Sequence, residues 1–263
     1  MWTWTVIETL RMDLAYGLRQ LRRNPGFAAV AILTLVLGFG ANTAIFSVVN
    51  AVLLKPLPFS DPERLVEARE TEAAPGTYPI DPADYLDWQA RNHTFEATTA
   101  FSWTGNRSMA GSNEPAAAAV TEVQASFFKL LGITPMAGRS FAKGEDVAGR
   151  NRIALLSYSF WQQHFGGNAG AIGKMVELDA EKYILIGVMP PAFHFPGTTE
   201  VWVPFDKKGK TFTTRGTHGY NVIGKMKRGV TLEQVRQDLL SISLRWKSSS
   251  RTSMPKSTLC SFR

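Results

Sequence analysis

Four histidines and three regularly spaced aspartates are the side chains of this sequence best suited to acid–base or metal chemistry. The histidines stand alone, without an HExxH motif or a closely spaced carboxylate; they are His93, His164, His194 and His218. Asp81, Asp84 and Asp87 recur at every third position of a predicted helix. A metal could bind there, but a helix cap and a solvated helix face explain the spacing better. We therefore predict no catalytic residue, no metal site and no cofactor.

Motifs for nucleotide hydrolysis and for a serine nucleophile are also missing. Gly105 and Gly111 belong to no phosphate-binding loop, and the sequence contains no GxxxxGK[ST]. Ser157 and Ser159 lack the GxSxG context of a hydrolase. The chain is predicted not to be an enzyme.

The longest apolar stretch, Phe27–Leu54, contains 28 residues and neither a charged residue nor a histidine. About 20 such residues cross a bilayer, and a helix satisfies its own backbone groups in lipid. A buried core helix and a cleaved signal peptide are the alternatives. Both are usually shorter, and the stretch leads into Lys55-Pro56 rather than a small-x-small cleavage site. We predict an uncleaved transmembrane helix over 27–54.

Residues 1–26 are predicted to form an amphipathic helix that ends at Asn24-Pro25-Gly26. Such a helix can lie in the membrane interface, in contact with lipid, or dock on another protein, and the pattern favours neither. Four arginines precede the span, namely Arg11, Arg19, Arg22 and Arg23. Only Lys55 closely follows it, so the positive-inside rule predicts a cytoplasmic amino terminus and an extracytoplasmic main domain.

The predicted span also carries a stripe of small residues on one face, formed by Gly40, Ala44, Ser47 and Ala51. Small residues let a second membrane helix approach closely, which favours association in lipid. We therefore expect other membrane helices as partners.

The net charge of +7 resides at the two ends of the chain, since residues 55–240 are neutral. A neutral domain lacks the basic surface that nucleic-acid binding requires. Residues 241–263 contain eight serines, five basic residues and no acidic residue, so this tail is predicted to be disordered.

Residues 55–240 alternate irregularly between predicted strands and short helices, which indicates an α+β domain. The helices are expected at 81–91, 125–131, 157–165 and 231–240, and the strands at 64–69, 94–109, 117–123, 151–156, 174–189, 201–204 and 220–226. Thr231 and Gln234 have the spacing of a capping box.

The segment Asp13–Phe59, DLAYGLRQLRRNPGFAAVAILTLVLGFGANTAIFSVVNAVLLKPLPF, resembles the amino-terminal signature of MacB-like permeases of the FtsX superfamily of ABC transporters. It is most similar to the acidobacterial duplicated-permease type. Further similar blocks follow in order over residues 10–240: DPERLV, YLDWQARNHTFE, FFKLLGITPMAGRSF, LSYSFWQQHFGG, AIGK, GVMPPAFHFPG, VWVPF and VIGKMKRGVTLEQVR.

The resemblance implies a first membrane helix, then a periplasmic core domain with an α+β part and a β-rich lobe, and then further membrane helices. It implies a bacterial inner-membrane permease subunit that pairs with a dimer mate or further permease helices. A cytoplasmic ABC ATPase would drive it for export or for mechanical work across the membrane, and any ATPase activity would reside in that partner subunit.

Two departures from the family pattern affect these expectations. Asp179-Ala180 stands where the family has Asp-Gly in a hairpin turn, which leaves the turn type open. The similarity ends near Leu240 inside a predicted helix, so we expect a truncated permease subunit with an aberrant tail. The alternative is an intact single-pass protein whose extracytoplasmic domain binds a ligand or partner directly.

Overall fold

The computed structural model describes residues 12, 16–17, 19–20, 22–49, 59–72, 77–111, 115–209, 219–249 and 256–261. The chain divides into two compact units, Met1–Leu57 and Pro58–Arg263.

The first unit contains one long helix, α1, over Pro25–Val49. It is uncharged, and large apolar side chains such as Phe27, Leu37 and Phe39 are exposed on it. By length and composition, Pro25–Thr43 is the one stretch in the described part of the chain able to cross a membrane, and none of it is buried. A helix that is apolar on all sides, and whose described side chains are largely unburied, suits lipid better than water.

The predicted break before the span is shorter than expected. Only Asn24 leaves the helical state, and its backbone still bonds to Gln20 and Ala28. Proline is well tolerated at the first position of a helix, so α1 begins at Pro25 instead of Phe27. Residues 50–54 of the predicted span and residues 1–11 of the predicted amphipathic helix lie outside the described residues.

The second unit is α+β, as predicted, and the first of its two parts is a four-stranded antiparallel sheet. Its main strands lie in the order β12, β1, β11, β3. They are β1 (Leu65–Glu72), β3 (Phe95–Ser102), β11 (Tyr220–Met226) and β12 (Lys256–Ser261), and a short β2 (Thr77–Tyr78) also pairs with β1.

Two helices cover one face of this sheet. They are α2 (Pro82–Arg91), between β1 and β3, and α5 (Leu232–Ser249), between β11 and β12. Buried Tyr85 and Trp88 of α2 share a core with Val235 and Leu239 of α5. The connectivity βαββαβ and this strand order are those of a ferredoxin-like sheet. We call the sheet with these two helices the terminal subdomain.

The second part is inserted between β3 and β11 and closes on itself. Its strands pair in the ring β4, β5, β10, β7, β9, β8 and back to β4. Their bounds are β4 (Gly105–Ala110), β5 (Ala116–Val123), β7 (Ile153–Leu156), β8 (Met175–Leu178), β9 (Glu181–Val188) and β10 (Val201–Pro204). We call this six-stranded ring the barrel. A further short strand, β6 (Ala137–Gly138), pairs with β9.

Alternating side chains fill the barrel, among them Met109, Val120 and Leu178. Helix α4 (Tyr158–Phe165) adds Phe160 and Trp161 to the same core. Closure removes free edges from a strand-rich insertion, which protects it from edge-to-edge association.

A third core joins the two parts. Helix α3 (Phe127–Leu131) packs Phe127 and Phe128 against Phe101 of β3, and also against Trp202 of β10. The second unit therefore has three successive cores: helices on sheet, sheet on α3 and barrel, and the barrel interior.

Local sequence signals located the main helices and strands before residue 240, whereas the two-residue strands β2 and β6 were not predicted. Asp81 caps α2 by accepting a hydrogen bond from the amide of Ala83, 2.9 Å away. The capping box is reciprocal, since the Thr231 amide donates to Gln234 Oε1 and the Gln234 amide donates to Thr231 Oγ1.

The β8–β9 turn has a defined conformation, although its sequence lacks the usual glycine. Asp179 and Ala180 have φ angles of 49° and 66°. Positive φ at both central residues is the mark of a type I′ turn, which suits the twist of a two-residue hairpin.

The carboxyl-terminal tail differs from the prediction of disorder over 241–263. Helix α5 continues to Ser249, because Ile242 extends the buried face formed by Val235 and Leu239. Residues Lys256–Ser261 then pair with β1. Strand pairing uses backbone groups, so the open edge of β1 accepts a serine-rich segment that composition alone marks as unstructured.

Candidate functional site

The segment Phe59–Arg64, which we call the entry segment, begins the second unit and is fixed at several points. The Ser60 amide donates to the carbonyl of Leu131, 3.0 Å away, at the end of α3. Gly132 follows with φ 72°, and a β-carbon there would lie 1.9 Å from Ser60 Oγ. Glycine is therefore required at position 132 for its conformation and for the close approach of Ser60.

Phe59 adds an aromatic contact to this attachment. Its ring meets that of Phe195 edge to face, with centroids 5.5 Å apart. Phe195 also contacts Phe101 of β3 and Phe127 of α3. Such aromatic pairs each contribute about 0.5–1.5 kcal/mol beyond area burial.

Charged groups bind the rest of the entry segment to β11. Asp61 lies 2.7 Å from Nζ of Lys225, and the Arg64 Nε donates to the carbonyl of Met226, 2.9 Å away. Arg64 also pairs with Glu96 of β3. The hydrogen bond from Lys225 lowers the pKa of Asp61, and the one from Arg64 lowers the pKa of Glu96. Both carboxylates stay ionised at neutral pH, so these ion pairs are lost only as pH falls below their ordinary titration range.

A buried polar network lies behind the junction of α2 and β3. The Tyr85 hydroxyl donates to Gln124 Oε1 and accepts from Gln89 Nε2, 2.8 Å away. Thr98 Oγ1 lies 3.3 Å from the same Gln89 nitrogen. Burial raises the pKa of Tyr85 far above its ordinary value, so its hydroxyl stays protonated.

The side chains first considered for chemistry do not converge. His164 stacks on Phe160 within α4, with ring centroids 4.3 Å apart, and the His93 amide donates to Asp238. His218 lies outside the described residues. Asp81 serves as the cap of α2, whereas Asp84 is buried instead of solvated. No cluster of three potential metal ligands occurs among the residues that the structure describes.

The sites predicted on the first unit are only partly described. Gly40, Ala44 and Ser47 lie in α1, and space around Gly40 is open. Arg19, Arg22 and Arg23 are exposed. Ala51 and Arg11 lie outside the described residues. The role of the stripe and the membrane orientation stay predictions.

The entry segment was not identified from the sequence. Gly132 directly follows the helix predicted over 125–131, but its contact with Ser60 joins residues far apart in the chain. The nearest sequence signal is the position of Phe59 and Ser60 directly after a proline-rich exit from the span.

The family profile described as the MacB-like periplasmic core domain matches residues 28–242. Comparison with curated proteins gives no significant match.

Solved structures with a similar fold include a domain of a permease protein from Porphyromonas gingivalis. It has 15% identity and a TM-score of 0.62, and the alignment covers 78% of this chain and 93% of that one. The periplasmic region of MacB from Actinobacillus actinomycetemcomitans follows with 14% identity, a TM-score of 0.55, and coverage of 76% and 89%.

A third similar structure is the extracellular domain of the noncanonic ABC-type transporter YknZ from Gram-positive bacteria. It has 15% identity, a TM-score of 0.53, and coverage of 74% and 99%. These identities are low, so the likeness concerns the fold. The family profile, however, spans most of the sequence, and the chain therefore belongs to the MacB-like periplasmic core domain family.

Proposed function

We propose that this chain is a permease subunit of a MacB-like ABC transporter, of the acidobacterial duplicated type. A separate cytoplasmic ATPase would drive it for export or mechanical work. The chain would supply a membrane helix and the extracytoplasmic domain on which that work acts. Family membership supports the general role. The ATPase partner, the dimer mate or further permease helices, and the direction of transport belong to the proposal.

The structural observation that carries this proposal is that the entry segment is attached at several points to the rest of the second unit. Within six residues, the chain is attached to the end of α3 through Ser60 and to β11 through Asp61 and Arg64. Helix α3 packs on both the terminal subdomain and the barrel. A displacement applied at Phe59 would thus reach both parts, because a packed core transmits strain instead of absorbing it.

A flexible insertion tests this transmission. We would place Gly-Ser-Gly-Ser directly before Phe59 and reconstitute the chain with a cognate ABC ATPase in nanodiscs. Hydrogen exchange of α3 and β11 is then compared between the apo and vanadate-trapped states. We expect a nucleotide-dependent difference in the unmodified chain and its loss after the insertion, with the ATPase still bound.

The matched control carries the same insertion between Ala148 and Gly149, which are exposed and distant in sequence from the entry segment. It should retain the nucleotide-dependent difference. Failure of the unmodified chain to co-purify with any ABC ATPase, or an exchange pattern unaffected by nucleotide, would overturn the proposal.

Orientation is tested separately by labelling with a membrane-impermeant maleimide on spheroplasts, in a Cys260→Ser background. We expect Ala148→Cys to react and Arg19→Cys to react only after the membrane is opened, because the arginines before the span favour the cytoplasm. The opposite labelling pattern would reverse the proposed topology.

The small-residue stripe is proposed as the contact with another membrane helix. Ala44→Leu should weaken association of the isolated span in a membrane two-hybrid assay, since it moves the partner backbone away. Ala31→Leu lies on the opposite face of α1 and should have little effect. Equal signals from both variants would exclude the stripe as the contact.

A further inference from the structure

A notch opens in the second unit where β5 leaves the terminal sheet. β5 pairs with β3 at Val123 and Phe101, and the Gln124 amide still donates to the carbonyl of Ala100, 2.9 Å away. The chain then turns into α3. Along the preceding residues of β3, Phe95–Thr99, the structure describes a neighbouring strand only on the β11 side.

Among the described residues, this part of β3 therefore has no neighbouring strand on the notch side. Successive residues of an antiparallel strand direct their backbone groups to opposite neighbours, so Thr98 shares the direction of Ala100. The Thr98 carbonyl indeed accepts a long hydrogen bond from the Ser126 hydroxyl on this side, 3.4 Å away, and the amide of an added strand would replace this donor. An edge of this kind is a ready template for an added strand.

The notch encloses a volume of about 560 Å³, within the usual range of ligand sites. Its floor includes Phe95 and Thr98 of β3, and Phe141 adds an apolar wall. The side chains of Gln89, Asn92 and Gln124 also line it, but their amides are hydrogen-bonded within the protein. The combination of a backbone edge and apolar side chains fits an extended peptide better than a compact apolar molecule.

The charged side chains that line the notch indicate which kind of peptide it would bind. Three lysines line the notch, and Lys207 is paired with buried Asp146, 3.0 Å away. Glu96 is paired with Arg64. Lys129 and Lys143 are exposed and form no ion pair among the described residues. Two positive charges thus remain at the opening, which favours acidic side chains.

We infer that the notch binds an extended peptide segment with acidic side chains, supplied by an extracytoplasmic partner protein. The peptide continues the track of β5 and pairs with β3, while its carboxylates contact Lys129 and Lys143. This inference does not depend on an ATPase, so its test needs none.

The test uses the full chain in nanodiscs and three fluorescein-labelled hexapeptides. The first alternates valine and glutamate, the second alternates valine and lysine, and the third is the first with N-methyl groups on alternate amides. Fluorescence anisotropy should show saturable binding of the acidic peptide only. N-methylation abolishes binding because it removes donors to the β3 edge.

Charge reversal identifies the site. The double variant Lys129→Glu, Lys143→Glu should weaken binding of the acidic peptide about tenfold or more, since two attractive contacts become repulsive. Lys174→Glu, an exposed lysine of the barrel outside the notch, serves as the control and should leave affinity unchanged. Thermal midpoints of both variants should match the parent, because all three lysines are exposed.

Four outcomes would overturn the inference: no binding of the acidic peptide, equal binding of the basic one, undiminished binding of the N-methylated one, or equal losses in both variants. Competition by free glutamate as strong as that by the unlabelled peptide would also overturn it, by showing a site for small anions.

Discussion

The terminal subdomain and the barrel are built from opposite chain arrangements. The barrel strands follow one another between Gly105 and Pro204. The terminal subdomain joins distant parts of the sequence, and the contact of Arg64 with the Met226 carbonyl spans 162 positions. One part closes its own edges, whereas the other keeps a free edge on β3 and receives the entry segment.

This difference gives the two parts different mechanical properties. A closed ring with a filled interior changes shape only at high cost. The terminal sheet is assembled from strands near both ends of the second unit. A displacement of either end therefore acts directly on this sheet. Helix α3 lies between the terminal subdomain and the barrel and shares a core with both. Substitutions in α3 therefore test whether the two parts deform independently.

The largest expected effect comes from removing that shared core. Phe128 is fully buried and contacts Phe127, Phe141, Phe193 and Trp202. Phe128→Ala should lower the free energy of unfolding by about 3–5 kcal/mol, measured by urea denaturation in detergent. The rate of hydrogen exchange should rise in both the terminal subdomain and the barrel. Acceleration confined to one of them would show that α3 belongs to that part alone.

A smaller and more local effect is expected inside the barrel. Leu178 is fully buried there, and Leu239 is fully buried in the terminal subdomain. Each change to Ala should cost about 2–4 kcal/mol. Because local opening follows cooperative units, Leu178→Ala should accelerate exchange in the barrel strands and Leu239→Ala in the terminal sheet. Identical exchange patterns would mean that the two parts open together.

The buried polar network gives the next effect. Tyr85→Phe keeps the ring but removes the hydroxyl that bonds to Gln124 and Gln89. Leaving the buried side-chain oxygen of Gln124 unpaired should cost about 1–3 kcal/mol of unfolding free energy. Tyr158→Phe removes a hydroxyl whose bond to Gln162 is exposed, and it should change stability by less than about 0.5 kcal/mol. Similar losses of unfolding free energy in both variants would show that burial of the hydroxyl does not determine its contribution to stability.

The smallest effect concerns the hairpin turn of the barrel. Ala180 has a φ of 66°, a region costly for residues with a β-carbon. Ala180→Gly should therefore raise stability by about 1 kcal/mol. Ala148→Gly, at an exposed position without positive φ, should leave stability unchanged or lower it. A stabilising Ala148→Gly would show that the gain does not arise from the turn.

Local signals explain why so many elements were predicted. The Asp81 cap and the Thr231–Gln234 capping box each act within a few residues, and both lie where predicted. Barrel closure could not be predicted, because it rests on the parallel pairing of Val201 with Val120. The notch and the entry segment were missed for the same reason. Their defining contacts join segments whose adjacency no local pattern encodes.

The pairing of Ser102 with Tyr220 has an evolutionary consequence. The chain leaves β3 and returns on β11 at directly opposite positions, as it would in a plain hairpin. The whole barrel therefore occupies the place of the turn that would join β3 to β11 in such a hairpin. Recombination can therefore exchange or enlarge this lobe without shifting the register of the parent sheet. Members of the family can in this way differ in the inserted lobe while the sheet that carries it stays constant.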